Sequence, residues 1–446
     1  YSHTWHTWLV WDRRRWIHDR AGGAQELAKE TVLNLYVKAA EISDDKARNE
    51  LVRHAKASES AVRIRGMLTL AMSEIRIAAL PEHFDAERTR YLLNVQNGTL
   101  DLQAATLRPH RREDLITRLA PVTYDPAAQC PLWEQFLQRI LPDPEVREFL
   151  QRYVGSALTG DTGDQAFVLF HGTGANGKST LIETLRALLG DYALQASFET
   201  FLEAKRGGTA GGPRSDLLAL KGVRMVSAVE ASDGRRLNEE VIKRITGSDT
   251  IAARGLYQDR ETEFQSEAKL FLAANQRPEV RGTDEAIWRR VHEIPFEVTI
   301  PHNERDESLG RRLRDATELS GILNWVLAGF RRWFDSRPRL VAPNAVVTAS
   351  RAYRDEQDTL ASFFEDHCSA EPKGWVASKA LREAYVGWCG ATGDHPLRDR
   401  DFGRQLRARG CRDKKRDGVR GWFGIVLKGG RDSSDTCPHE LPLQHP

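Results

Sequence analysis

Residues 166–189 run AFVLF, then HGTGANGKST, then LIETLRALL. An apolar run passes through a loop with three glycines into leucines at helical spacing, and few folds accept that order. AFVLF reads as a buried strand. Leu181, Leu185 and Leu188 share one helical face, and Gly190 is a helix stop. Gly172, Gly174 and Gly177 remove side chains where backbone must approach something closely. Lys178 adds a cation, and Ser179 and Thr180 add hydroxyls where the helix begins. The spacing from Gly172 to Ser179 fits GxxxxGK[ST], in the strand–loop–helix context that this motif requires. Backbone N–H groups of such a loop and helix start converge on phosphate. Residues Gly172, Thr173, Gly174, Ala175, Asn176, Gly177, Lys178, Ser179 and Thr180 are therefore the candidate cradle of a nucleoside triphosphate. Lys178 would neutralise the β- and γ-phosphates and Ser179 would hold magnesium.

Hydrolysis also needs an acid near the metal and the attacking water. VRMVSAVEAS supplies Glu230 at the end of an apolar run; a solvated strand-end carboxylate is the plainer alternative. KLFLAANQRP ends in Asn275, whose amide can orient water or sense the γ-phosphate, although asparagine before a proline turn is common in itself. AIWRRVHEIPF carries Arg289 and Arg290 just before another apolar run. Either can act as an arginine finger for a neighbouring subunit, with Arg290 slightly preferred; a surface arginine pair is the alternative. The runs AFVLF, VRMVSAVE, KLFLAANQ and RVHEIPF alternate with helical or glycine-rich segments. That texture predicts an α/β fold: a mostly parallel sheet with helices on both faces.

A chain of 446 residues predicts two to four domains. YSHTWHTWLVWDRRRWIHD reads as a small hairpin, with His3 and His6 as surface residues. Residues 24–80 have a helical pattern, residues 91–110 read as a β-hairpin around Asn97–Gly98, and residues 132–158 and 321–334 are helical. The expected division is an N-terminal domain over 1–130, the P-loop domain over 131–340, a compact unit over 355–430 and a loose tail over 431–446. No run of 18 apolar residues marks a membrane span. Five scattered cysteines without a CxxC pair read as reduced thiols of a cytoplasmic protein. The cations are 51 Arg and 14 Lys, which suits phosphate contacts but equally reflects GC-rich coding.

FHGTGANGKST, LLALKGVRMVSAVE, IKRITGSDTIAARGLY, LFLAANQRPEV and AIWRRVHEIPF, in that order, resemble the superfamily 3 helicases, and more narrowly the phage, plasmid and poxvirus-type primase-helicases. LLNVQNGTLDL and LRPHRREDLITR resemble the domain that precedes the motor in that family. The resemblance implies an AAA+-like ring ATPase, usually a hexamer, that uses ATP and Mg2+ to unwind DNA from 3′ to 5′ in the replication of a mobile element of a bacterial host. It implies Lys178 and Ser179 as Walker A residues, Glu230 as the Walker B acid shared with the metal, Asn275 as sensor 1 and Arg290 as the finger. The stretch IKRITGSDTIAARGLYQDRETEF resembles the family's pore hairpin, where Lys243, Arg254 and Arg260 are the available cations for DNA. Relatives carry a primase domain upstream. No room for one is found here, so that activity is expected from a removed domain or a separate polypeptide.

Residues 378–393 and 397–410 read as two helices and 414–427 as a hairpin, the layout of a winged helix-turn-helix. Between Arg398 and Lys428 eleven Lys/Arg face four Asp/Glu, a local +7 in a chain whose total is +2. Arg404, Arg407, Lys414 and Lys415 are the candidate DNA contacts; a solvated basic face or a protein-docking module is the alternative. Two other functions stay open: a ring ATPase that moves DNA without separating strands, and a nucleotide-regulated origin-binding or scaffold protein.

Overall fold

The computed structural model describes residues 1–203, 214–230, 235–255, 261–280, 285–336, 340–393 and 396–428. They fall into two compact units. Tyr1–Glu279 with Arg289–Ser350 make the first, and Val280–Trp288 with Arg351–Pro446 the second.

The first unit opens with the antiparallel pair Leu9–Trp11 and Trp16–His18. Asp12 closes its turn by accepting from the Arg14 and Arg15 amides at 2.8 and 2.7 Å. Three helices follow, Gly23–Ala40, Asp45–Ser58 and Ala61–Ala71. Asp19 accepts from the first two amides of the first helix, and Asp44 and Ser60 cap the other two. The expected hairpin over 91–110 has a third strand, so the sheet is Leu92–Val95, Gly98–Asp101 and Thr106–Arg108. The cause is local. Asp101 accepts from the Gln103 and Ala104 amides, and that second turn sends the chain back along its neighbour.

The central sheet has five strands: β1 (Phe167–His171), β2 (Ala193–Gln195), β3 (Met225–Val229), β4 (Lys269–Ala274) and β5 (Val291–Pro295). All pairings are parallel, in the order β5-β1-β4-β3-β2. The four expected apolar runs are all strands. The short edge strand β2 has no comparable apolar run to announce it. Val168, Phe170, Phe271, Ala273 and Ile294 join one core with helices Pro131–Ile140, Pro144–Ser156, α1 (Lys178–Leu189) and Ala316–Ser336. The alternate residues Phe167, Leu169, Leu270 and Leu272 are equally buried, so both sheet faces are covered.

Pro144–Ser156 and Ala316–Ser336 cross at a pair of glycines. A Cβ on Gly155 would stand 2.1 Å from the Phe330 nitrogen, and one on Gly329 would stand 2.0 Å from the Gln151 carbonyl oxygen. Gln151 is buried at this crossing and donates to the Trp325 carbonyl at 2.8 Å. Beneath the sheet's N-terminal edge, Lys269 and Asp164 form a buried pair at 2.8 Å, and the Trp333 indole donates to the same carboxylate at 2.9 Å.

The second unit contains helix Thr359–His367, strand Cys368–Ala377, helices Ser378–Thr392 and Asp399–Ala408, and strands Arg412–Arg416 and Val419–Leu427. The 419–427 strand lies between the other two, antiparallel to both. Phe363, Tyr385, Trp388, Phe402, Leu406 and Trp422 form its core. Helix, helix and hairpin were expected from the sequence. The 368–377 strand was not, because EPKG interrupts its pattern. The pairing absorbs that interruption as a register shift between Glu371 and Trp375.

Cys130, Cys368, Cys389 and Cys411 are buried and outside any disulfide. Burial pushes the Cys130 and Cys368 thiols up to about 12. Among the described residues, no helix is long and apolar enough to cross a membrane and no group of three or more His, Cys, Asp and Glu side chains could hold a metal ion.

Candidate active site

The glycine loop leaves the C-terminal end of β1 and enters α1 directly at Lys178. Gly177 has φ +84, and a Cβ there would lie 2.7 Å from Ile140 Cγ2. Gly172 lets the loop pass the Phe296 carbonyl, which a Cβ would meet at 2.2 Å. Gly174 has nothing within 4 Å of a Cβ position, so its side of the loop faces open space. Asn176 braces the loop from inside by donating to the Thr173 carbonyl. Thr173, Gly174, Ala175 and Ser179 are exposed, whereas Asn176 and Lys178 are buried.

A cavity of about 300 Å³ lies against this loop. Residues 174–180 line one side, with Val229, Glu230, Ala273 and Asn275 on the other. Parallel pairing accounts for the convergence. β1, β3 and β4 all end on the same edge, so the residues that follow them, Glu230 and Asn275 included, come together there. Lys178 Nζ donates to the Gly172 carbonyl and to Asn275 Oδ1, the latter at 3.3 Å. The Glu230 amide donates to the Ala273 carbonyl at 2.8 Å, which fixes the start of that turn.

Burial brings the Lys178 ammonium down to about 8. The charged form is the one that attracts phosphate. Affinity for a non-hydrolysable ATP analogue should therefore hold steady below pH 8 and weaken above it, approaching tenfold per pH unit. Titration calorimetry from pH 7 to 9.5 checks this, and Lys178→Met should remove the dependence.

Three residues at the same edge carried no motif. Glu293 on β5 is fully buried and takes Arg277 Nη2 at 2.9 Å and His171 Nδ1 at 3.1 Å. From the middle of β5 it ties the end of β1 to the turn after β4. A lone carboxylate inside VHEIPF was the signal that could have found it.

Arg289 and Arg290 lie elsewhere. The Arg290 carbonyl accepts from the Phe167 amide at 2.8 Å, so both arginines sit at the sheet edge opposite the glycine loop. Five residues of strand separate the two edges, roughly 16 Å at ~3.3 Å per residue. Arg290 is 6% exposed, and its guanidinium donates to Thr246 Oγ1 and Gln165 Oε1, each at 3.2 Å. Arg289 is exposed and donates to Gln165 Oε1 at 2.7 Å.

Of the expected pore cations, Lys243 lies on helix Glu239–Ile245 with its ammonium 3.8 Å from Glu239. Arg254 follows strand Thr250–Ala253, which pairs antiparallel with Thr262–Gln265 as a ribbon. Arg260 lies outside the described residues. In the second unit Arg404 pairs with Asp401 at 3.0 Å. Arg407 lies 3.7 Å from Asp413 and over the Trp422 ring. Lys414 and Lys415 are exposed on strand Arg412–Arg416.

Residues 1–142 match the family described as D5 N terminal like, and residues 170–290 match a family of unknown function, DUF5906. The chain is 26% identical over 394 residues to a protein of Acanthamoeba polyphaga mimivirus provisionally named a helicase, covering 81% of this chain and 40% of that one. A Frog virus 3 protein, also provisionally named a helicase, is 27% identical over 307 residues, covering 66% and 31%. An African swine fever virus protein provisionally named a primase is 25% identical over 320 residues, covering 67% and 33%. These matches show a relative of the D5-like primase-helicases. The chain spans a third to two fifths of the length of these relatives. Among solved structures, the A form apo structure of the NrS-1 C-terminal region aligns at a TM-score of 0.42 and 12% identity, covering 68% of this chain and 77% of that one. That likeness is too loose to bear on function.

Proposed function

We propose that this chain is the motor of an ATP-dependent DNA helicase of the superfamily 3 type, working in the replication of a virus-like mobile element. The observation that carries the reading is the convergence of Lys178, Ser179, Glu230 and Asn275 on one cavity at the end of a parallel sheet. The strand order, with β4 between the strands of the glycine loop and of Glu230, supports an AAA+-like core. The helicase and primase names of the viral relatives support the replication role.

The loop amides and Lys178 would hold the triphosphate. Ser179 and Glu230 offer a hydroxyl and a carboxylate, the oxygen donors that suit magnesium. Bound there with the nucleotide, magnesium would supply charge neutralisation to the phosphates. Glu230 would take the proton of the attacking water, and Asn275 would orient that water.

Arg289 and Arg290 stand about one strand length from this cavity and so cannot serve it within their own chain. A neighbouring protomer's cavity is where such a charge would act, which supports a ring, a hexamer in the family. Because Arg290 is buried and hydrogen-bonded within its own unit, the exposed Arg289 is the better finger, with Arg290 bracing it. The paired strands Thr250–Ala253 and Thr262–Gln265 are the candidate pore element, and the second unit is the candidate winged helix. A primase domain, upstream or in trans, completes the machinery by the same resemblance.

A forked DNA duplex tests the reading. ATP-dependent strand release is expected from the purified protein. ATP hydrolysis indifferent to DNA, with no strand displaced, would overturn it in favour of a scaffold role. Mixing Arg289→Ala and Lys178→Ala protomers should recover some ATPase, since one mixed interface holds both intact halves.

A further inference from the structure

We propose that the outer face of the second unit's sheet is a platform for single-stranded DNA, distinct from helix Asp399–Ala408, where such units are expected to meet duplex. The inference rests on the nucleic-acid role proposed above and assigns the kind of strand and the face.

Strand pairing separates the two faces. Arg412 pairs with Phe423 and Trp375 pairs with Phe423, so these three residues share a face. Alternation along Arg412–Arg416 adds Lys414 and Arg416 to it. Asp413 pairs with Trp422, which is buried in the core, and its carboxylate engages Arg407 and Arg420 on that other side. The strand's acid is thereby turned away and all three of its outward residues are exposed cations.

The aromatics are arranged for stacking. Trp375 lies across Gly421, where a Cβ would stand 2.3 Å from the indole, and its Nε1 donates to the Lys414 carbonyl at 3.4 Å. The indole is therefore laid over the sheet, propped by a glycine that leaves room for it. The Arg416 guanidinium stands 5.9 Å from the Trp375 ring centroid, and the Lys414 ammonium 5.8 Å from that of Phe423. Long, exposed cations lying over half-buried aromatics put charge and ring together on this face, and an incoming base can displace them from the rings. Bases stack on the rings and phosphates meet the charges, without sequence readout. Each stacked base contributes about 1–3 kcal/mol by alanine substitution. An acidic peptide fits the charge but leaves the rings without matching partners.

The test uses the full chain without nucleotide and a 5-bromodeoxyuridine-substituted oligo-dT. Irradiation should crosslink the strand to the peptide holding Trp375 or Phe423. Lys414→Ala combined with Arg416→Ala should weaken oligo-dT binding about tenfold and lower the slope of log K against log salt by about 1.4. Trp375→Leu should weaken binding without changing that slope. ATPase should persist in all variants, which reports that the motor is folded. Crosslinks confined to 399–408, or unchanged affinity and slope in the double variant, would overturn the platform. Loss of unwinding in wild type with these crosslinks intact would instead overturn the helicase reading and leave the platform standing.

Discussion

Lys178→Ala is expected to reduce ATP hydrolysis by at least about 10²–10³-fold, the range seen when one transition-state charge or donor is removed from a preorganised site. Among the described residues that line the cavity, Lys178 is the one cation. Its ammonium is buried and aimed by the Gly172 carbonyl and Asn275. Removing it takes away the one side-chain charge that this cavity itself aims at the phosphates. The loop should survive, because Asn176 and the approach to Phe296 hold it independently. Circular dichroism and Tm should stay close to wild type while steady-state phosphate release falls to background. A variant that keeps one tenth of its hydrolysis would mean that the nucleotide is held elsewhere.

The second large effect concerns folding. Gly329→Val should cost more than about 4 kcal/mol, enough to remove most of the soluble protein. Its Cβ would enter the Gln151 carbonyl at 2.0 Å, and backbone, unlike the end of a side chain, cannot give way. Separating the helices would also break the Gln151 bonds to the Trp325 carbonyl and to Arg332. Gly66→Ala is the contrast. Gly66 lies within helix Ala61–Ala71 with nothing near a Cβ, so that change should stabilise by about 0.5–1 kcal/mol. Soluble yield and Tm of the two variants check both statements.

Much of the central sheet was legible because the candidate site residues follow strand ends. AFVLF, VRMVSAVE and KLFLAANQ declare themselves as buried parallel strands, and the polar residue after each must then reach one edge. What stayed hidden depends on distance in space rather than in sequence. Gly155 and Gly329 meet although helices and a whole sheet separate them along the chain. Arg289 and Arg290 are neighbours of the same type, and only the turn before β5 decides that one faces solvent and the other Thr246. Glu293 looked like an interruption of a strand until Arg277 and His171 were seen around it. The strand Cys368–Ala377 was masked by its own register shift, and with it the face that places Trp375 beside Arg416.

The division into two units follows a path that no linker describes. Between the strand that ends at Ala274 and the one that begins after Arg290, the chain leaves the first unit, contributes Val280–Trp288 to the second, and returns. Trp288 meets Tyr353 there, and the Val280 amide donates to Gln357. With the passage at Ser350–Arg351, the polypeptide is stitched across three times rather than once. Cutting the gene after residue 350 would therefore not release an intact first unit. It would strip the excursion of its bedding and loosen the tether of Arg289, so a dissection by truncation would wrongly charge the missing half with a defect in the half that remained.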